Sequence, residues 1–211
     1  MAVRLLLGAM LVAVLSGCAT QRIDKDRSAL QAAAPRSILV VPVVNKSLDV
    51  DAPNYLLTTL SVPLAERGYY VFPVHTARTV LEQEGFYEAD MVHAQPPAQL
   101  ARMFGADAVL FVTIRRWDAQ YAVLATTVTV DFEYKLFGKD GTELWQSTQA
   151  IKYQPQNNNA GSPLASLIVA AINAAVVRAA PNYMPLARQA NAQEFITGPD
   201  ALPDGPYAQK R

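Results

Sequence analysis

The order of apolar and polar residues along this chain predicts an α/β domain. Ser37–Asn45 (SILVVPVVN) and Ala106–Ile114 (ADAVLFVTI) are β-branched apolar runs, which are typical of buried strands. Between Val128 and Leu136 apolar and polar residues alternate, as in a strand with one solvent-exposed face. The turn motif GKDG at Gly138–Gly141 predicts a hairpin, after which Thr142–Tyr153 should return antiparallel.

Helical periodicity separates these strands. Asp51–Gly68 has leucines at helical spacing, and Pro63 inside it should kink or split the helix. A short strand at Tyr69–Val74 precedes two further helices, Thr76–Gly85 and Pro96–Gly105, both of which end at glycine. This order of elements predicts a mixed parallel/antiparallel sheet of about five strands with helices packed on it.

The last predicted helix, Leu164–Val177, is apolar nearly all the way round. It is too short to span a bilayer, so we expect it to be buried. Other helices of the domain could cover it, or its surplus apolar surface could meet another protein or the membrane surface. The candidate interface residues are Leu164, Leu167, Ile168, Ile172 and Val176.

The amino-terminal segment has the pattern of an export signal. Arg4 precedes an uncharged apolar run, Leu5–Leu15, which has the length of a signal-peptide core. The next residues complete Leu15–Cys18, which resembles the lipobox of bacterial lipoproteins and contains the single cysteine of the chain. That resemblance implies cleavage before Cys18 and attachment of acyl chains such as palmitate to it. A secretory signal with an incidental cysteine is the alternative. By analogy with bacterial lipoproteins, in which aspartate at this position commonly causes retention in the inner membrane, Ala19 implies sorting to the outer membrane.

The predicted organisation has four parts. They are a signal peptide (1–17), the lipidated cysteine with a flexible tether (18–35), the α/β domain (36–180) and a partly disordered carboxy-terminal extension (181–211). Within the tether, Ser28–Ala34 could instead form a short helix. The end of the extension is rich in proline and glycine, so we expect it to be unstructured.

Charge and composition exclude some functions. The 211 residues include 18 basic and 18 acidic side chains, and no long basic block is present. A nucleic-acid partner therefore has little electrostatic support.

The sequence offers few candidates for chemistry. Neither of the two histidines, His75 and His93, has a recognisable partner, and each is more plausible as a loop residue than as a general base. The spacing of His, Cys, Asp and Glu gives no metal motif, and no nucleophile or phosphate-binding motif is present. We therefore predict no catalytic residue, no metal and no cofactor.

Two charged strand segments have structural interpretations. Asp131 and Glu133 share a face with Lys135, which favours a solvated, salt-bridged face over a catalytic carboxylate pair. Strict alternation would place Arg115 and Trp117 on one face of a strand, with Arg116 on the other. An anion or a nucleobase could bind there, but the exposed end of a strand is the simpler interpretation.

Several segments resemble a family of bacterial outer-membrane lipoproteins of unknown function. They are PRSILVVPVVNKSLDVDA, PLAERGYYVFPV, HAQPPAQLARMFGADAVLFVTI and GTELWQ, and the likeness covers Pro35–Arg178. The resemblance implies a fold distantly similar to the amino-terminal domain of the Tol–Pal translocation protein and to the curli-secretion pore lipoprotein. It carries over only Cys18, as the lipid site.

We therefore expect a non-enzymatic lipoprotein on the periplasmic face of the outer membrane, which docks in an envelope or curli-type secretion assembly. Its expected partners are the membrane, through Cys18, and an envelope protein such as a curli-pore-like lipoprotein, with a homo-oligomer also open. One alternative is a periplasmic small-molecule-binding protein or hydrolase, which a deep polar pocket near His75 or His93 would favour. Another is a surface-exposed structural antigen.

Overall fold

The computed structural model describes residues 27–122, 125–153, 184–198 and 201–209. The predicted signal peptide, Cys18 and the predicted helix Leu164–Val177 lie outside these ranges. The helices are α1 (Ser28–Ala33), α2 (Ala52–Glu66), α3 (Val74–Gln83), α4 (Ala89–His93), α5 (Pro97–Phe104) and α6 (Met184–Ala192), which continues into a π-helical turn at Gln193–Thr197. The strands are β1 (Ser37–Val40), β2 (Val44–Asn45), β3 (Tyr70–Val71), β4 (Ala108–Ala122), β5 (Ala125–Gly138) and β6 (Glu143–Tyr153).

The strands form one mixed sheet in the order β3-β1-β4-β5-β6, with β2 also paired to β4. β1 runs parallel to β3 and β4, whereas β4, β5 and β6 are antiparallel. This confirms the predicted mixed sheet with helices. The predicted strand Ser37–Asn45 is divided into β1 and β2 around Pro42, because proline cannot donate to the strand ladder.

Helices cover both faces of the parallel part of the sheet. On the first face, α2 buries Leu56, Leu60 and Leu64, each completely. Burial of one such side chain stabilises the fold by about 1.5–3 kcal/mol. They pack with α6 and with the inward residues of β1, β4 and β5, including Ile38, Leu110, Val112, Phe132 and Tyr134. On the second face, α3, α4 and α5 cover Leu39, Val41, Val109 and Phe111.

The alternating strand β5 follows the predicted pattern from Asp131 to Leu136, whereas Thr129, on the predicted exposed face, is buried. Phe132, Tyr134 and Leu136 are buried, while Glu133 and Lys135 are partly exposed. The Lys135 Nζ atom lies 2.9 Å from Glu133 Oε1, which confirms the salt-bridged face.

A β-bulge in β4 overturns the predicted placement of Arg115 and Trp117 on one face. Ile114 pairs with Phe132 and Arg116 pairs with Asp131, so Arg115 is an extra residue between them. The bulge shifts the alternation by one position. Trp117 is therefore buried in the core, while Arg115 and Arg116 are both exposed.

Two helix predictions also change. α2 runs without a break through Pro63, which lies close to its carboxyl end, so the helix is not split. α3 begins at Val74, two residues before the predicted start at Thr76, so His75 lies inside the helix. The short helix α4, which ends at His93, was predicted as a loop.

Both ends of the described chain belong to the packed domain. Leu30 of α1 is buried, although it lies in the predicted tether. Residues 201–209, predicted to be unstructured, instead bury Leu202, and Tyr207 accepts hydrogen bonds from Arg36 at 2.9 and 3.1 Å. The segment is ordered because the burial of one leucine and several hydrogen bonds offset the entropy cost of ordering it. That cost is reduced because prolines already restrict the unfolded chain. Among the described residues, no helix is long and apolar enough to cross a bilayer.

Candidate ligand groove

His93, the last residue of α4, forms a hydrogen bond to the segment between β1 and β2. Its Nε2 atom lies 3.0 Å from the carbonyl oxygen of Pro42, the residue that separates β1 from β2. The imidazole ring meets Phe111 edge to face at 4.9 Å between ring centroids, and Phe111 meets Phe137 in the same way at 5.5 Å. The histidine is therefore held by one hydrogen bond and by an aromatic neighbour.

The hydrogen bond to Pro42 determines which ring nitrogen of His93 carries the proton. Because a carbonyl oxygen only accepts, Nε2 of His93 must carry the proton, and in the neutral ring Nδ1 then carries a lone pair. Burial lowers the pKa of His93, more strongly than the Pro42 carbonyl and Asp90 raise it. The ring is therefore neutral at pH 7, with Nδ1 available to accept a hydrogen bond.

A groove of about 340 Å³ opens beside this ring on the second face of the sheet. Its volume is at the lower end of the range for small-molecule pockets, about 300–1,000 Å³. Aromatic carbon forms part of its lining, and Gln95, Thr113 and the ion pair of Glu133 with Lys135 contribute polar groups. The wall thus offers both signs of charge, an amide and a hydroxyl.

The groove is equipped for binding. The Lys135–Glu133 pair is more than one third exposed on each side chain, so a ligand can compete for it at little cost. Within the described part of the chain, no hydrogen bond joins His93 to Thr113, Glu133 or Lys135, so these residues form no nucleophile–base pair. A small ligand with an apolar body and one or two charges fits this chemistry.

The other histidine is separate from the groove. His75 is exposed on α3, and its backbone carbonyl accepts a hydrogen bond from Thr79. No group of His, Cys, Asp and Glu residues in the described ranges is arranged to hold a metal ion. Of the two predicted histidines, His93 lines the groove and His75 does not.

The remaining predicted site residues lie outside the described residues. They are the lipidation site Cys18 and the candidate interface residues Leu164, Leu167, Ile168, Ile172 and Val176.

Sequence reasoning missed the groove because its residues come from distant segments. His93 and Gln95 follow α4, Phe111 and Thr113 lie on β4, and Glu133 lies on β5. The only local signal was an isolated histidine before a pair of prolines, which gave no indication of its neighbours.

The chain matches one protein-family model and resembles solved and curated lipoproteins. Residues 25–207 match the family described as "Putative lipoprotein GNA1162-like", so the match extends beyond Arg178. A curated lipoprotein of Neisseria meningitidis serogroup B, strain MC58, is 36% identical over 171 residues, which are 80% of this chain and 79% of that protein.

The solved structure of one Neisseria relative agrees with this assignment. The crystal structure of lipoprotein GNA1162 from Neisseria meningitidis is 35% identical, with a TM-score of 0.57 over 68% of this chain and 99% of that one. A PelC dodecamer from Paraburkholderia phytofirmans is 18% identical, with a TM-score of 0.42 over 64% of this chain and 81% of that one. The family model and the Neisseria relatives agree with the resemblance noted from the sequence, and the chain belongs to the GNA1162-like lipoprotein family.

Proposed function

We propose that this protein is a non-enzymatic lipoprotein, anchored through Cys18 to the periplasmic face of the outer membrane, which docks other envelope proteins. The observation that carries the proposal is Leu15–Cys18, a lipobox-like sequence at the end of an apolar run, in a chain of a lipoprotein family. The α/β domain is the docking module, since it presents exposed apolar side chains together at one end of its sheet.

The anchor has a simple physical basis. Each buried methylene contributes about 0.8 kcal/mol, and a single acyl chain holds a protein only marginally. Several chains on Cys18 would hold the domain at a bilayer without a spanning helix.

Substitution of the cysteine tests the anchor. In Cys18→Ala we expect loss of palmitate labelling and loss of the processed protein from the membrane fraction, because no acyl chain can attach. Thr20→Ala keeps the cysteine and is the matched control. If processed Cys18→Ala still sediments with the outer membrane, the proposed anchor is wrong.

Docking is tested by purifying the intact lipidated protein under mild detergent and identifying its partners by mass spectrometry. We expect an envelope protein, and by family analogy a pore-like lipoprotein of the curli-secretion type. Protease treatment of whole cells separates the two membrane faces, because only a surface-exposed domain would be cleaved. Recovery of lipid alone in repeated purifications would count against docking.

The His93 groove favours a second candidate function, small-molecule binding. Its volume, neutral imidazole and exposed ion pair suit a small charged ligand. In a fragment screen followed by NMR, binding should move the signals of Thr113, Glu133 and His93 together, and His93→Phe should abolish the response. If no charged fragment moves them, this candidate is withdrawn.

A further inference from the structure

Exposed apolar side chains gather at the carboxyl ends of the parallel strands. Leu48 is 100% exposed and Val50 83%, both in the loop that joins β2 to α2. Tyr87 and Met91 are also exposed, and they lie between α3 and the end of α4. We call these four residues the loop patch.

A salt bridge and a shared cavity connect the two segments that carry the loop patch. Lys46 in the first loop forms a salt bridge of 3.0 Å with Asp90, the neighbour of Met91. Val50 and Tyr87 line one cavity of about 380 Å³, whose wall also includes Leu57 and Phe86. The carboxyl ends of parallel strands are the usual place for binding in open α/β sheets.

The loop that carries Leu48 is held rigidly by its own polar residues. Asn45 Oδ1 accepts hydrogen bonds from the amide and hydroxyl of Ser47 at 3.0 and 2.7 Å, and Asn45 Nδ2 donates to the carbonyl of Asp49 at 2.8 Å. The amide of Asp51 donates to Asp49 Oδ1 at 2.9 Å. A single exposed leucine is ordinary, but one fixed at the tip of a hydrogen-bonded loop loses little entropy on binding.

Charge around the patch is predominantly acidic. Lys46 and Asp90 neutralise each other, as do Arg78 and Glu82 at 2.8 Å. Asp49, Asp51 and Glu88 border the same loops and form no salt bridge within the described residues. On β4, Arg115 lies 4.0 Å from Asp131, which partly neutralises its charge, and Arg116 next to it is exposed. These two cations lie beside the patch, whereas the carboxylates lie on the loops that carry it. The apolar tip is thus flanked by carboxylates.

We infer that the loop patch docks a protein partner that offers an apolar pocket bordered by basic side chains. This deepens the proposed docking function and rests on it. Leu48 and Val50 enter the partner's pocket, while Asp49 and Glu88 face its basic side chains. An anionic bilayer surface would be repelled by the same carboxylates, and a second copy docking through the same patch would place like charges together.

Photo-crosslinking of the full-length protein in cells tests the inference. Because Leu48 is fully exposed, Leu48→p-benzoylphenylalanine should not disturb folding. The matched control is Val62→p-benzoylphenylalanine, since Val62 is exposed on α2. The crosslinked partner peptide is sequenced by mass spectrometry. We expect position 48 to join an envelope-protein segment of net positive charge, and position 62 not to join that segment.

Charge reversal provides the second measurement. Glu88→Lys should lower the yield of the position-48 adduct by about tenfold, because a carboxylate facing basic groups becomes a like charge. Glu66→Lys, an exposed reversal at the end of α2, should leave the yield unchanged.

Several results would overturn the inference. They are an adduct with lipid, with a second copy or with an acidic segment, and an equal loss of yield in both charge variants. If position 48 gives no adduct while the purified lipoprotein still retains its partner, the patch is wrong and docking stands. If the purified protein also retains no partner, the docking function fails with it.

Discussion

The close approach of the carboxy-terminal segment to Gly68 predicts a large effect from one added methyl group. Gly68 follows α2 with a φ of +82°, a conformation that L-residues rarely adopt. A Cβ atom at this position would overlap the backbone nitrogen of Ala208 and lie 2.7 Å from the carbonyl carbon of Tyr207. Gly68→Ala should therefore strain its own backbone and also displace residues 204–208.

Gly85 allows these two costs to be separated. It also has a positive φ, +91°, but a Cβ there would meet no atom within 4 Å. Gly85→Ala should cost about 1–2 kcal/mol, the penalty for an L-residue in the left-handed region. Gly68→Ala should lose in addition the hydrogen bonds from the amides of Gly205 and Tyr207 to the carbonyls of Arg67 and Gly68, at 2.7 and 3.0 Å. At about 1 kcal/mol each, these add about 2 kcal/mol.

Urea unfolding followed by circular dichroism measures the difference. With a denaturant slope of about 2 kcal/mol per M, the extra 2 kcal/mol lowers the midpoint of Gly68→Ala by about 1 M relative to Gly85→Ala. If the two variants unfold at the same urea concentration, the close approach of residues 204–208 contributes no stability and the reasoning is refuted.

Three further substitutions test buried polar groups. Tyr134→Phe removes the donor, at 2.6 Å, to Oδ1 of the buried Asn191 and should cost about 1–3 kcal/mol in urea unfolding, whereas an unchanged midpoint would contradict a buried bond. Burial lowers the pKa of His93 below its ordinary 6.5. The contribution of the neutral ring to the free energy of unfolding is therefore present above pH 6.5 and is lost as the pH falls below that value. His93→Gln should show a smaller drop in Tm between pH 8 and pH 5 than the unsubstituted protein, and an equal drop would refute this. Burial raises the pKa of Tyr69 to about 12, so its contribution is complete below pH 10 and is lost as the pH rises toward 12. Tyr69→Phe should flatten the fall of unfolding free energy in that interval, and a profile parallel to that of the unsubstituted protein would contradict it.

The sequence pattern of the strands predicted a mixed sheet because the helices that the structure describes cover both faces of its parallel part but not of its antiparallel part. Covered β4 is continuously apolar from Ala108 to Val112, and half-covered β5 alternates. These are the two patterns that separate parallel from antiparallel strands. The bulge at Arg115 could not be predicted, since it depends on the pairing of β4 with β5 and not on β4 alone.

Contacts between distant segments explain the other differences. The sequence of residues 201–209 is rich in proline and glycine, as an unstructured tail would be. Its order comes from Arg67, whose Nε donates to the carbonyl of Leu202 at 2.6 Å and whose guanidinium lies 2.8 Å from Asp204. Local composition carries no information about a partner more than 130 positions away.

The loop patch was partly visible in the sequence. Asn, Ser and Asp in NKSLDVD are residues of hydrogen-bonded turns, and Leu48 and Val50 stand among them with no place in a strand or helix pattern. Their exposure could not be deduced, because a loop leucine can equally fold back on the core.

The two ends of the parallel strands differ in a way that places docking at one of them. At the amino end, Arg36 precedes β1 and donates to Tyr207, so the carboxy-terminal segment closes that end. Among the described residues, helices cover much of both faces, and the carboxyl ends of β1 and β2, with Leu48, form the open end of the parallel half. Perturbing the closed end should then not affect binding at the open one, since distant sites act additively. A folded Gly68→Ala protein should give the same crosslink yield at position 48 as the unsubstituted protein, and a yield that falls with the loss of stability would mean that the closed end contributes to the docking surface.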